Sequence, residues 1–334
     1  MTSSAAQPLI SAGTPAPIVR IFGWANLGVM MAFIVNTVLE FWFGWPGVRP
    51  LFAGGDGPAV LMLVQTAIYA GAVGLAIWYV LTTRDRSLRF DATTISDANQ
   101  FFIRAAFWVV FLVGIADTAI SFVRAEGLLE GLVGREMMFE LGKSSFRGLY
   151  VHVPVAIIGI IIAIFVRTPG FYWLSLLVVG AELLIVFSRF IFSYEQAFMA
   201  DLVRFWYAAL FLFASAFTLL EDGHVRVDVL YAGFTRRTQG RVNAVGSILL
   251  GMTLCWAVLL VGMWGKSSVI NAPILVFETT QTGFGMYVKY LMAGFLGVFA
   301  VSMMLQFVSS LFSSVADARN DPSGAADDHA SHIA

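Results

Sequence analysis

Residues 149–190 run LYVHVPVAIIGIIIAIFVRTPGFYWLSLLVVGAELLIVFSRF. Only Arg167, Glu182 and Arg189 carry a full charge in this stretch. A bilayer-crossing helix needs about 20 mostly apolar residues, and two runs of nearly that length stand here on either side of Arg167-Thr168-Pro169-Gly170. Arg167 ends the first run and Pro-Gly marks a sharp turn, so the stretch reads as two spanning helices in a tight hairpin, with a re-entrant pair as the alternative. Outward from this hairpin the same criterion finds six more segments. The full set is 21–45, 59–82, 101–123, 149–166, 171–190, 203–220, 242–265 and 287–312. The fold class is therefore all-α: a polytopic helical membrane protein of about eight transmembrane helices with short interfacial helices.

Composition agrees. Of 334 residues 59% are hydrophobic and 12% are charged, against about 25% charged in an ordinary soluble domain. Cys255 is the only cysteine, which excludes a disulfide scaffold. The 20 basic and 21 acidic residues leave a net charge of −1, so nothing supplies the basic excess that nucleic-acid binding needs. The first 17 residues are rich in Ser, Ala, Pro and Thr and read as disordered. They lack the basic start of a secretory signal. The polar residues 314–334, with His329 and His332, read as a disordered tail.

An even number of crossings puts both termini on one side. With the N-terminus inside, eleven Lys and Arg fall on the cytoplasmic side and nine on the other, and four of those nine lie in 124–148. Leaving that segment out, the positive-inside rule favours both termini in the cytoplasm. Segment 124–148 mixes Glu126, Glu130, Glu136 and Glu140 with Leu128, Leu129, Leu132, Val133, Met137 and Phe139. It reads as a helix lying along the interface or as a loop packed on neighbouring spans. A second mixed stretch, Tyr194 to Arg204, suits an interfacial elbow.

Charges inside spans need partners, protonation or water. Glu182 stands near the middle of the fifth span. Its readings are a tie to a neighbouring helix, a contact with a partner subunit, or an ion relay. Arg189 is seven residues on, about two turns away. Asp117, Asn26, Asn36, Glu40 and Gln65 also fall within spans and are expected to face protein rather than lipid. The four histidines, His152, His224, His329 and His332, offer no helix-borne pair for bis-histidine haem ligation. There is no Cys-x-x-Cys, His-Glu-x-x-His, phosphate-binding glycine loop or Gly-x-Ser-x-Gly. No catalytic, cofactor-binding or metal-ligating residue is marked, and Cys255 reads as a small packing residue.

The most specific signal is the loop after span six, Glu221-Asp222-Gly223-His224-Val225-Arg226-Val227-Asp228-Val229-Leu230. Gly223 permits a turn, three valines alternate with Arg226 and Asp228, and His224, Arg226 and Asp228 can form ion pairs that fix it. Arg236, Arg237 and Arg241 then suit a headgroup surface.

Together with Arg189-Phe190-Ile191-Phe192 and with Phe198-Met199-Ala200-Asp201-Leu202-Val203-Arg204-Phe205-Trp206, the Gly223-to-Asp228 loop resembles the small membrane subunit of tripartite ATP-independent periplasmic (TRAP) transporters, the DctQ type. Phe198 replaces the family's Trp and Asp201 its Glu, each keeping the chemical character. The resemblance covers 171–313, a four-helix small permease module. Residues 18–170 then form an additional N-terminal four-helix membrane region, too short to be the large transport subunit fused in place.

The resemblance implies a non-catalytic scaffold subunit of a sodium-coupled, binding-protein-dependent secondary transporter that imports organic anions such as carboxylates across a bacterial inner membrane. It implies no cofactor in this chain, with sodium held by a large DctM-type subunit. The expected partners are that subunit, a DctP-type periplasmic binding protein and membrane lipids. It also implies interface or structural roles for seven residues. Arg189, Asp201 and Arg204 would brace the periplasmic elbow, His224, Arg226 and Asp228 the cytoplasmic loop, and Glu182 would pair within the scaffold or with the large subunit. The alternatives are a self-contained secondary carrier, which needs converging polar groups at midplane, and an accessory subunit of another membrane complex.

Overall fold

The computed structural model describes residues 13, 15–54, 57–167, 171–220, 231–280 and 284–322. No β-strand occurs among them. Helix α1 is Pro17–Phe43, α2 is Arg49–Ala53, α3 is Ala59–Thr82 and α4 is Leu88–Ala125. Three short helices follow: α5 Leu129–Val133, α6 Arg135–Leu141 and α7 Ser144–Arg147. A wide π-helical turn, Gly148–His152, leads into α8 Val153–Phe165. Then come α9 Phe171–Phe192, α10 Ala197–Leu220, a 3₁₀ turn at Tyr231–Gly233, and α11 Arg236–Gly246. A second π-helical turn, Ser247–Met252, continues into α12 Thr253–Met263. Helices α13 Asn271–Leu275 and α14 Lys289–Ala318 complete the order. Among the described residues, eight helical stretches are long and apolar enough to cross a membrane.

Local chemistry sets the ends. Pro17 opens α1 at a position where its missing N–H is no loss, and Gly44 closes it in the left-handed conformation at φ 70°. Thr235 caps α11, its hydroxyl accepting from the Thr238 amide at 3.4 Å.

Three expectations on helix limits change. The last spanning helix continues to Ala318, so residues 314–318, expected at the start of a disordered tail, are helical. The third spanning helix begins at Leu88, not near 101. Its first turns are amphipathic, with Leu88, Asp91, Ala92, Ile95 and Asn99 buried while Thr94 and Asp97 are exposed. This is the 3.6-residue periodicity of one covered face, which an apolar-run criterion passes over. The sixth begins at Ala197, so Phe198–Arg204 form its first turns and the interfacial elbow shrinks to residues 193–196. Ser193, at φ 51°, makes the bend. Segment 124–148 is neither one interfacial helix nor a plain loop. Gly134, at φ 81°, and Gly142 divide it into α5, α6 and α7. Leu129 and Leu141 are buried, whereas Leu132 and Phe139 are exposed.

The chain divides into two compact units. One holds residues 1–98, 223–256 and 303–334, the other 99–222 and 257–302. In the first, α1 packs along α3. Arg20, only 1% exposed, donates from Nε to Asp91 Oδ2 at 2.7 Å, from Nη1 to the Thr83 carbonyl at 2.6 Å and from Nη2 to the Thr83 hydroxyl at 2.9 Å. Trp24 Nε1 donates to the same Asp91 oxygen at 2.9 Å. One guanidinium thus ties the start of α1 to the end of α3 and the first turn of α4. Asn26, Asn36 and Gln65 face protein as expected. Asn26 accepts from Trp256 Nε1 at 3.1 Å, Asn36 donates to the Gln65 carbonyl at 3.3 Å, and Gln65 Oε1 accepts from the Gly47 amide at 2.9 Å.

The core of the second unit is largely aromatic. Phe107, Phe205, Trp206, Phe213 and Phe295 are buried in it. Helices α4 and α8 meet at Gly159, where an added Cβ would stand 2.9 Å from the Val109 amide nitrogen. Such backbone approach is how membrane helices gain dispersion contact without a hydrophobic driving force.

Candidate functional site

In the second unit Asp117, on α4, is fully buried between two cations or potential cations. Its Oδ1 accepts from Arg147 Nη1 at 2.9 Å and from His152 Nε2 at 3.1 Å. Its Oδ2 accepts from the Tyr287 amide at 2.7 Å. The π-helical turn makes the double contact possible. Val153 N–H bonds to the Gly148 carbonyl, the i→i+5 pattern, which sets Arg147 and His152 about one wide turn apart. Pro154 follows and has no N–H to give the Tyr150 carbonyl, so a regular α-helical register is already broken there.

Each member of this cluster is itself held. Arg147 Nε donates to the Leu141 carbonyl at 2.8 Å, Nη1 to the Ser121 hydroxyl at 3.2 Å, and its guanidinium lies 4.1 Å over the Tyr287 ring. The Tyr287 hydroxyl accepts from Arg124 Nη1 at 2.6 Å and donates to the Gly142 carbonyl at 3.0 Å. His152 Nδ1 lies 2.7 Å from the Tyr290 hydroxyl. With Nε2–H turned to Asp117, the Nδ1 of a neutral imidazole accepts a hydrogen bond from the Tyr290 hydroxyl. The order carboxylate, imidazole, hydroxyl is that of a hydrolytic triad. Here, however, the hydroxyl is phenolic and Tyr290 is only 5% exposed, set against Phe277. The cluster joins α4, the π-helical turn and the start of α14.

Asp201, on α10, does a parallel job. Its Oδ2 accepts from the Met286 amide at 3.0 Å. Two carboxylates from different spanning helices thus receive the successive amides of Met286 and Tyr287, fixing the strap that enters α14. Arg204 lies 3.6 Å from Asp201, its side chain 70% exposed. Arg189 is not with them. It pairs across the 193–196 bend with Glu195 at 3.4 Å, and both side chains are exposed. Nearby, the Tyr194 hydroxyl donates to Glu126 at 2.6 Å. Desolvation, and next the hydrogen bond to that carboxylate, push the phenol up to about 12. The phenol therefore stays neutral, and able to donate this bond, until pH rises through about 12.

Glu182 falls at the middle of α9, is exposed, and has no partner among the described residues. On insertion scales an acidic side chain at the centre of a lipid-facing helix costs about 2.5–3.5 kcal/mol. His224, Arg226 and Asp228 lie outside the described residues.

Arg147, His152, Tyr287 and Arg20 were not singled out by sequence reasoning. Arg147 counted only as one of the loop cations of 124–148. The available signal was a mid-span acid, Asp117, in need of a cation, and an Arg and a His five residues apart just before Pro154.

Among the cavities lined by described residues, two are largely apolar. One, of about 720 Å³, is lined by α4, α9 and α10 in the second unit, with Glu126 its only charged group. The other, of about 820 Å³, lies in the first unit and has no charged group. Neither offers a cation to an anionic ligand. Among the described residues, no three His, Cys, Asp or Glu side chains gather as a metal site.

No curated protein and no solved structure matches the chain. Residues 177–317 match the model of the family described as tripartite ATP-independent periplasmic transporters, DctQ component. The match covers less than half of the chain. It takes in α9 from Leu177 onward, α10, the α11–α12 span and nearly all of α14, and it leaves four spanning helices ahead of it. Residues 177–317 of this multi-pass membrane protein are therefore similar to the DctQ component of tripartite ATP-independent periplasmic transporters.

Proposed function

We propose that the chain is the non-catalytic scaffold subunit of a sodium-coupled, binding-protein-dependent secondary transporter importing organic anions such as carboxylates. The observation that carries this reading is the DctQ match across the last four spans. The internal chemistry supports it. Asp117, Arg147, His152 and Asp201 are occupied in joining helices. A carrier working alone would need polar groups converging on a midplane site.

In this reading 171–313 is the small permease module and 18–170 an added membrane region that widens the scaffold. Both termini lie in the cytoplasm of a bacterial cell with the spans in its inner membrane. A large DctM-type subunit holds substrate and sodium, and a DctP-type binding protein delivers the substrate. Arg189, Asp201 and Arg204 brace the periplasmic bend, and His224, Arg226 and Asp228 brace the cytoplasmic loop.

The test is reconstitution with one component left out at a time. With the large subunit, the binding protein and a sodium gradient, proteoliposomes containing the chain accumulate an organic anion, and omitting the chain abolishes accumulation. Uptake by the chain alone would show a self-contained carrier instead.

A further inference from the structure

Glu182 is a carboxylate at mid-length of a spanning helix, exposed and without a partner among the described residues. Its surroundings on α9 are apolar. Val179 and Val186, one turn before and after on the same face, are 54% and 46% exposed, and Leu183 beside it is 50% exposed. The spanning stretch of α9 is the least covered of the eight, with 11% of its residues buried. The one nearby cation on the helix, Arg189, lies about two turns away and is engaged with Glu195. Ionisable groups at mid-membrane face protein or water and find a counter-charge, and this chain supplies none that is described.

A second copy is a poor occupant of this face. A two-fold axis along the membrane normal would set Glu182 against Glu182, because the two-fold contact uses the same patch on both copies. We propose that this face of α9 docks a transmembrane helix of a different membrane subunit, one that presents an Arg or Lys at mid-bilayer depth to Glu182. The proposal rests on the reading above that the chain is one subunit of a multi-subunit transporter, and it names the surface and the chemistry by which it holds its membrane partner.

The test uses the full chain in its native membrane. A photoreactive residue at Val179 or Val186 keeps Glu182 in place and should cross-link to a polytopic protein, at a peptide within one turn of an Arg or Lys in a spanning segment. Glu182→Leu should lower recovery of that partner about tenfold, a loss of about 1.4 kcal/mol in association. Glu182→Gln should lose less, because it can still accept a hydrogen bond. Glu182→Arg should abolish recovery, and changing the cross-linked cation of the partner to Glu should restore it. Because Glu182 is exposed and makes no hydrogen bond or ion pair with a described residue, the purified Glu182→Leu chain should not lose unfolding temperature, which separates a lost contact from a misfolded chain. Undiminished partner recovery by Glu182→Leu, or cross-links only to lipid or to a second copy, would overturn the proposed contact while leaving the subunit reading in place. Failure of the unaltered chain to recover any membrane partner would overturn both.

Discussion

At the scale of single residues, Asp117 and Arg147 show how a charge is tolerated inside spanning helices. The arginine contacts one carboxylate oxygen, a carbonyl, a hydroxyl and an aromatic face. Removing one partner of such a buried pair leaves the other uncompensated, typically at a loss of about 3–5 kcal/mol. Arg147→Met and Asp117→Leu should therefore each lower the unfolding temperature of the purified chain strongly. The double variant should recover part of the loss, although the Tyr287 amide stays without its acceptor. A double variant as unstable as the two single losses combined would contradict direct pairing. Asp117 was legible from sequence as a mid-span acid that had to face protein. Its partners are not legible there, because Arg147 stands outside the apolar run, in a stretch whose mixed sequence equally suits a loop. Glu182 is equally visible, but only the three-dimensional placement shows it exposed with no partner among the described residues.

At the scale of elements, the long apolar runs were readable because lipid exposure removes the need for periodicity, and hydropathy alone locates them. All eight spans were found this way. The starts of α4 and α10 lie beyond the apolar runs, because residues 88–100 are mostly polar and Asp201 interrupts residues 197–202. The π-helical turn before α8 follows from Pro154, but its consequence, bringing Arg147 and His152 to one carboxylate, depends on where α4 lies. Close packing of α8 on α4 gives a second test. Gly159→Val places a side chain against the Val109 backbone, which cannot move aside as a flexible side chain would. It should destabilise by about 1–3 kcal/mol, the range for overpacking. Gly180→Ala on α9, where an added Cβ meets nothing within 4 Å, should change stability by no more than about 0.5 kcal/mol. Thermal unfolding of the two variants in the same detergent checks both, and equal effects would contradict the close approach at Gly159.

At the scale of the whole molecule, eight crossings require both ends of the chain on one side, and the proposed reading puts that side in the cytoplasm, as the positive-inside rule favours. Reporter fusions at each terminus should both signal a cytoplasmic location. A split result would remove or add a span. The DctQ-type region was legible in sequence from ordered motifs between 189 and 228, although the loop that carried most of the signal, 223–228, lies outside the described residues. What the four earlier helices add could not be read from motif or hydropathy, because their polar groups are occupied in holding those helices to one another, as Arg20 holds Asp91 and Thr83.

The central claim is that this chain works as a subunit. Its most direct test is purification from native membranes in mild detergent, with mass spectrometry of what remains attached. The expected result is a larger, many-helix membrane protein at a fixed ratio to this chain, with the periplasmic binding protein recovered when substrate is present. Isolation of the chain alone, under conditions that keep other membrane assemblies whole, would contradict it.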